Sequence, residues 1–534
     1  NGVWPVYTGP VQATISATDN ASGVATTMYS LNQGPYQPYT GPILTYAPDS
    51  YCVQAYSVDI AGNVEWQQLQ CWVITSNQKY LLQISKRGTG TGTVTSSDGA
   101  INCGGTCSAN YWDGQPVTLT AAPDPGFVFA GWQGCDISFG YSCTLTMGAA
   151  DRHAYAYFNV PVALQYIPVT PCRVADTRWP LGPLGGPSLA AGVSRDITIP
   201  QGGCNIPTTA AAYSLNLTAI PHGGLGLLTV WQTGYDRPWV SNMNSYDGRV
   251  KADAAIVPAG DDGAISVYAS NAADLALDIN GYFVLAPDPS ALAFYPMAPC
   301  RVADTRWPHS PLGGPALPAQ QQRDLPVLSS QCGIPATAQA YAMNFTAIPE
   351  NEAPLWVFNA WPAGQPQPST STLNDPTGTA VANAAIVPAG TNGDIDVWAN
   401  SGTDLVVDIN GYFAPAGQGG LSLYANVPCR VLDTRNTTGA FDGDLQVNVV
   451  GAGCGVPQNA QAFVFNATVV PSQPLWLLTL WPDGGAQPNA STLNAWDSAV
   501  TSNMAVVMTN NGSIDAYAAG LTQLILDISS YFAP

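Results

Sequence analysis

Short runs of alternating apolar and polar residues, broken by Gly, Pro, Asn and Asp, fill the chain. Val11-Gln-Ala-Thr-Ile-Ser-Ala-Thr-Asp19 alternates, Asn20-Ala-Ser-Gly23 interrupts, and the alternation returns at Thr26–Leu31 and Tyr51–Asp59. A period of two sends successive side chains to opposite faces, so these stretches predict β-strands with one buried face. Farther on, one succession occurs three times. An alternating strand (Ser214–Ile220, Met343–Ile348, Phe465–Val470) precedes a Trp-bearing one (Leu227–Trp231, Trp356–Trp361, Trp476–Trp481). An Asn-bearing segment follows (Ser241–Asn244, Ser371–Asn374, Ser491–Asn494), then an apolar run ending Ala255-Ile-Val257, Ala385-Ile-Val387 or Val506-Val507. Asp262-Gly263, Asn392-Gly393 and Asn511-Gly512 read as hairpin turns, because Asx-Gly supplies the positive φ a two-residue turn needs. The closing strand is apolar at every second position (Leu275, Leu277, Ile279; Leu405, Val407, Ile409; Leu524, Leu526, Ile528) and ends in Tyr-Phe at 282–283, 412–413 and 531–532.

This pattern predicts an all-β chain of five tandem domains: 1–78, 79–160, and three homologous repeats at 161–287, 288–417 and 418–534. Each repeat, with about nine short strands, is expected to be an antiparallel β-sandwich or jelly-roll-like domain in which one face of each sheet makes the core. The 53 Gly and 45 Pro, spread along the chain, supply the turns that so many strands require. No amphipathic helical window of useful length occurs, and no apolar run approaches the roughly eighteen residues of a membrane span.

Each repeat opens on one motif: Cys172-Arg-Val-Ala-Asp-Thr-Arg178, Cys300–Arg306 and Cys429–Arg435, 128 and then 129 residues apart. In an extended segment Asp176 and Arg178 share a face, with Arg173 on the other, so Asp176/Arg178, Asp304/Arg306 and Asp433/Arg435 are expected to be structural ion pairs. Six of the fifteen basic residues sit in these motifs, and a scarce cation repeated beside an acid is best used as a partly buried pair that is costly to break on one side.

A net charge of −20 disfavours nucleic acid and anionic membranes as partners. Twelve cysteines in local even sets point to an oxidising compartment outside the cytoplasm: Cys52 with Cys71; Cys103, Cys107, Cys135 and Cys143; and one pair per repeat, Cys172/Cys204, Cys300/Cys332 and Cys429/Cys454. A zinc reading of the middle group lacks the two-residue ligand spacing, and its nearest histidine is His153. Only His153, His222 and His309 are present, none at an equivalent position in the repeats. No catalytic triad, metalloprotease or phosphate-loop spacing occurs. Glu is scarce and no glycosidase pair stands out, so no enzyme activity and no cofactor is expected.

Residues 1–78, with Thr18-Asp-Asn-Ala-Ser-Gly-Val24 and Ser57-Val-Asp-Ile-Ala-Gly-Asn-Val-Glu65, resemble immunoglobulin-like modules of secreted bacterial proteins. Residues 79–160, with Gly131-Trp-Gln-Gly-Cys135, Cys143-Thr-Leu-Thr-Met147 and Ala154-Tyr-Ala-Tyr-Phe158, resemble the internalin B repeat; that likeness implies Cys103–Cys107 and Cys135–Cys143 disulfides. The three large repeats resemble a repeat of secreted actinobacterial and acidobacterial proteins, recognised by its Asp-Thr-Arg, Asn-x-Thr and Asp-x-x-Gly-Tyr-Phe elements. The third departs from it with Ser529-Ser530 in place of Asn-Gly, which is expected to loosen a final turn. Trp132, between glycines after an apolar strand, is expected in the core.

Asp19, Asp59 and Asn63 are calcium candidates, weighed against Asx turn capping. Asn216, Asn344 and Asn466 lie in Asn-x-Thr sequons and are glycosylation candidates, weighed against a role in satisfying neighbouring backbone groups. The sequence begins late relative to the immunoglobulin-like modules, so the first domain is expected to have an open edge that docks head-to-tail on another copy. The resulting expectation is an extracellular or cell-surface structural protein, a self-assembling filament or surface-layer subunit with copies of itself as partners. The alternative is a carbohydrate-binding adhesin or accessory region of a hydrolase, suggested by 15 Trp and 24 Tyr.

Overall fold

The computed structural model describes residues 4–19, 22–308 and 312–534. It is all-β; among these residues the helical pieces are three-residue 3-10 turns, and no helix is long and apolar enough to cross a membrane. The chain forms two compact units, one mainly from residues 1–158 and the other mainly from residues 159–534.

In the first unit, the described residues before 79 hold a five-stranded sheet in the order Val6–Tyr7, Gln68–Ile74, Asp49–Asp59, Val24–Leu31, Gln37–Pro38. Its core is Ile43, Val53, Ala55, Trp72 and Ile74. Val6–Tyr7 lies parallel on Gln68–Ile74, with Val6 opposite Val73, so the chain's own backbone occupies part of the edge that the sequence leaves open. Residues 1–3 of that segment lie outside the described residues. Beyond it, two four-stranded sheets enclose Leu82, Leu119, Phe158 and Trp132, which is buried as expected.

In the second unit each repeat is a two-layered antiparallel sandwich; in the third, one long strand, Ser513–Ala533, runs through both layers. In the first, the inner sheet runs Lys251–Pro258, Ala212–Pro221, Ala273–Leu285, Leu164–Asp176, and the outer runs Val193–Thr198, Ala264–Ala269, Leu225–Gln232, Met243–Ser245. The alternating closing-strand residues point into the cores between the sheets: Leu275, Leu277 and Ile279 in the first repeat, their counterparts in the others. Of the Asx-Gly positions, Asp262 and Asn392 carry positive φ (54° and 59°), whereas in the third repeat it is Gly512 and not Asn511 that does (84°). They are not hairpins, however. The strands they join lie in different sheets of the sandwich, so each is a corner, as the pairings of Lys251–Pro258 with Ala212–Pro221 and of Ala264–Ala269 with Val193–Thr198 show.

The inner sheets are buried on both faces, which the one-face reading did not anticipate. Ala255 and Val257 enter the first repeat's own core, whereas Ala254 and Ile256 enter a further core shared by all three repeats. This is why the sequence there is a continuous apolar run. The shared core contains Tyr166, Phe283, Phe294, Phe413, Leu423 and Phe532. Ring centroids of Tyr166 and Phe413 are 4.5 Å apart, and those of Phe294 and Phe532 4.2 Å. The opening strands touch pairwise around it: Tyr166 opposite Leu292, Leu164 opposite Leu423, Phe294 opposite Leu421. The three repeats therefore close on one another around a pseudo-threefold axis.

Candidate functional site: the polar joints between repeats

The repeated motif builds an ion network. Arg173 grips Asp278 of the closing strand with Nε and Nη2 (2.5 and 3.0 Å) and donates Nη1 to Asp176 (2.9 Å). Arg178 donates Nε and Nη2 to the same Asp176 (2.8 and 2.6 Å). Arg301, Asp408, Asp304 and Arg306 reproduce the arrangement, as do Arg430, Asp527, Asp433 and Arg435. Asp176 and Arg178 thus meet. Arg173, assigned to the opposite face by strict alternation, joins them because the strand's register shifts between Arg173 and Ala175. Desolvation raises the carboxyls of Asp176 and Asp304, yet the arginine bonds and charges outweigh it and hold both below the usual value. At Asp433 the Arg435 hydrogen bond is the leading cause of the same depression. Burial instead holds Asp278, Asp408 and Asp527 above the usual value.

The network reaches into the next repeat. Asp278 accepts from Ser371 N and Asp408 from Ser491 N, both at 3.0 Å. Beside these contacts the sequon asparagines donate Nδ2 across the joints: Asn216 to Ser371 O (2.6 Å), Asn344 to Ser491 O (2.7 Å) and Asn466 to Ser241 O (2.7 Å). First binds second, second binds third, and third binds first. The polar positions of the alternating strand therefore face a neighbouring repeat, and the nitrogen that N-glycosylation modifies is already a donor in each joint. A further sequon asparagine, Asn20, lies outside the described residues.

The six disulfides are Cys52–Cys71, Cys103–Cys107, Cys135–Cys143, Cys172–Cys204, Cys300–Cys332 and Cys429–Cys454. Among the calcium candidates, Asp19 accepts from Ser22 N and Gly23 N (2.7 Å each), and Asp59 accepts from Asn63 N and Nδ2 (2.8 and 2.7 Å), which are Asx-turn contacts. Among the described residues no three His, Cys, Asp or Glu side chains gather as metal ligands. His222 Nε2 is 2.8 Å from Asp274, whose other oxygen accepts from Thr177 Oγ1. That hydroxyl also accepts from Leu275 N, and Ser188 bonds the same Asp274. His153 bonds Ser85 and stacks on Tyr155; His309 lies outside the described residues.

At one end of the axis, residues of all three repeats line a cavity of about 30 Å³, among them Arg249, Lys251, Asp375 and Asp497. Arg249 bonds Asp247 and Asp497, and burial lowers the Lys251 ammonium to about 8. The space suits one or two waters. On the outer sheets, Trp356 and Trp476 occupy equivalent positions and are 55% and 58% exposed. Trp496 packs edge-on against Trp476 at 5.2 Å and donates Nε1 to its carbonyl (2.8 Å).

Residues 82–160 match the family model described as a divergent InlB B-repeat domain, which supports the internalin-B-like reading of that module. No curated protein matches the chain. Among solved structures, the M60 catalytic domain with the CBM51-1 and CBM51-2 domains of Clostridium perfringens ZmpB is 9% identical with a TM-score of 0.13; the alignment covers 76% of this chain and 54% of that one. The native conformation of E. coli alpha-2-macroglobulin is 7% identical with a TM-score of 0.11, covering 95% of this chain and 40% of that one. Scores this low give neither likeness any weight for fold or function.

Proposed function

We propose that this chain is an extracellular, non-catalytic binding protein of the adhesive kind, in which the closed three-repeat body is a rigid scaffold and exposed tryptophans are its contact points. The observation that carries this reading is the pair Trp356 and Trp476, large aromatic faces held in solvent at one repeated position while the charged side chains of the motifs are spent on one another. An indole has one apolar face and a polar tip, a form suited to stacking on the apolar face of a sugar ring, so the ligand class proposed is carbohydrate. Six disulfides support the extracellular setting.

Self-assembly into filaments or a surface layer stands second, because the repeat-to-repeat faces are consumed inside one chain. A glycan array probed with the whole chain tests the first reading. Retention on a glycan class, reduced at least about tenfold by Trp356→Ala with Trp476→Ala at unchanged melting temperature, is the expected result; a tenfold loss corresponds to about 1.4 kcal/mol. Regular polymers in electron micrographs, with no glycan retained, would favour the second.

A further inference from the structure

Two of the three joints share one polar lock. Asn383 accepts on Oδ1 from Ala254 N (3.2 Å) and donates Nδ2 to Asn216 Oδ1 (2.8 Å) and Thr372 O (2.7 Å). Asn503 likewise accepts from Ala384 N (2.8 Å) and donates to Asn344 Oδ1 (2.8 Å) and Thr492 O (2.7 Å). Each amide is an acceptor on one side and a donor on the other.

At the joint between third and first repeats the corresponding residue is Asp253, 1% exposed. Its Oδ1 accepts from Met504 N at 3.1 Å, the same task performed by the two asparagines. By the equivalence of the repeats its Oδ2 corresponds to their Nδ2, and it is buried without a hydrogen-bond partner. So is Asn466 Oδ1, the counterpart of Asn216 Oδ1 and Asn344 Oδ1. Two acceptors thus occupy the positions held elsewhere by a donor and an acceptor. An ionised carboxylate would leave Asp253 Oδ2 and Asn466 Oδ1 both unsatisfied, and a buried acceptor without a donor is costly; one proton on Oδ2 satisfies both.

We propose that Asp253 is kept as a neutral carboxylic acid whose Oδ2–H donates to Asn466 Oδ1, which makes this joint a proton-dependent lock in a ring whose other two locks do not titrate. Desolvation moves the Asp253 carboxyl well above its ordinary value, against the smaller opposing effect of the Met504 and Ala254 backbone donors. No neighbouring charge contributes to the shift. On its own strand Lys251 donates to Val500 O; Asp247 and Arg249 precede it, and Arg249 pairs with both Asp247 and the third repeat's Asp497. The elements packed on that strand carry Tyr213, Asp375, Asp515, Tyr517, Asp527 and Tyr531.

The sign follows from the raised value. The acid's contribution to stability is complete below the unfolded aspartate pKa of about 3.9 and is lost as pH rises toward the folded value. The joint between third and first repeats is then the one that weakens as pH rises.

The test is Asp253→Asn in the full chain, melted across a pH series. At about pH 4 the variant and the parent should melt together; with rising pH the variant should gain several degrees over the parent. The converse variant, Asn383→Asp, places a second titrating acid in the ring and should steepen the parent's loss. Infrared difference spectra of parent minus Asp253→Asn at neutral pH should contain a protonated carboxyl C=O band. Melting curves that stay parallel at every pH, or a difference spectrum with only carboxylate bands, overturn the proposal. Should the Asn variant fail to fold, a melting profile of Asn383→Asp no steeper than the parent's overturns it as well.

Discussion

The two arginines of each motif differ in what they leave behind when removed. Arg301 is 12% exposed and bridges two carboxylates that are almost fully buried, whereas Arg306 is 47% exposed and shares Asp304 with Arg301. Truncating Arg301 leaves Asp408 and Asp304 short of their main counter-charge in low dielectric, so Arg301→Ala should cost about 3–5 kcal/mol. Arg306→Ala removes a half-exposed partner and should cost about 1 kcal/mol or less. Urea denaturation of the two variants separates these values, and equal losses would contradict the burial argument. The pairing of Asp304 with Arg306 was legible from alternation alone. The role of Arg301 was not, because a register shift in the strand reverses its face. Its second partner, Asp408, stands over 100 residues away, signalled only by an Asp recurring before each Gly-Tyr-Phe or its Ser-Tyr-Phe variant. Ser529-Ser530 is a related case. Gly281 and Gly411 lie within a strand, where a Cβ would come within 2.1 Å of Tyr166 Oη and 2.3 Å of Phe294 Cζ. The third repeat carries the smaller Leu423 at the Tyr166 position, and this is why Ser530 is accommodated there; no turn is loosened.

At the scale of elements, strands and cores were legible because periodicity two survives wherever a strand meets its own sandwich core. The second buried face was not. Polar residues such as Asn216, Thr218 and Asn344 look solvent-facing in a sequence, and only three-dimensional closure brings an equally polar neighbour to meet them. What ties the opening strand of each repeat to the segment beyond it is covalent: Cys300–Cys332 closes a loop of 32 residues and Cys429–Cys454 one of 25. By chain entropy, loops of this size contribute about 3 to 4 kcal/mol each. Replacing Cys300 and Cys332 together by Ser should therefore lower stability by about that amount, measured by chemical denaturation without reductant. Because the second repeat's surface also forms two joints, the loss should register across the whole second unit and not in one repeat alone.

At the largest scale, the three repeats read in sequence as beads on a string, while in the second unit they form a ring closed by three heterologous contacts. Every joint presents the same two half-surfaces, one bearing the sequon asparagine and the closing-strand aspartate, the other bearing the Ser-x-x-Asn segment and the buried Asn or Asp. The second repeat carries both halves, with amides at both lock positions: Asn344 beside Asp408 on one side, Asn383 beside Ser371 on the other. Its share of the common core, Leu292, Phe294, Ala340, Ala342, Ala384, Ile386 and Phe413, is contiguous apolar surface that a lone repeat would expose. A head-to-tail contact whose rotation closes after three copies yields a ring and not a filament. Residues 288–417 expressed alone should therefore form a homotrimer, with three times the monomer mass by sedimentation equilibrium and dissociation on dilution. Asn383→Ala leaves Asn344 Oδ1 without its donor in every joint of such a trimer and should weaken association by at least about tenfold, the equivalent of about 1.4 kcal/mol per joint. A stable, soluble monomer would mean that the covalent chain, and not the complementarity of the joints, holds the three repeats together.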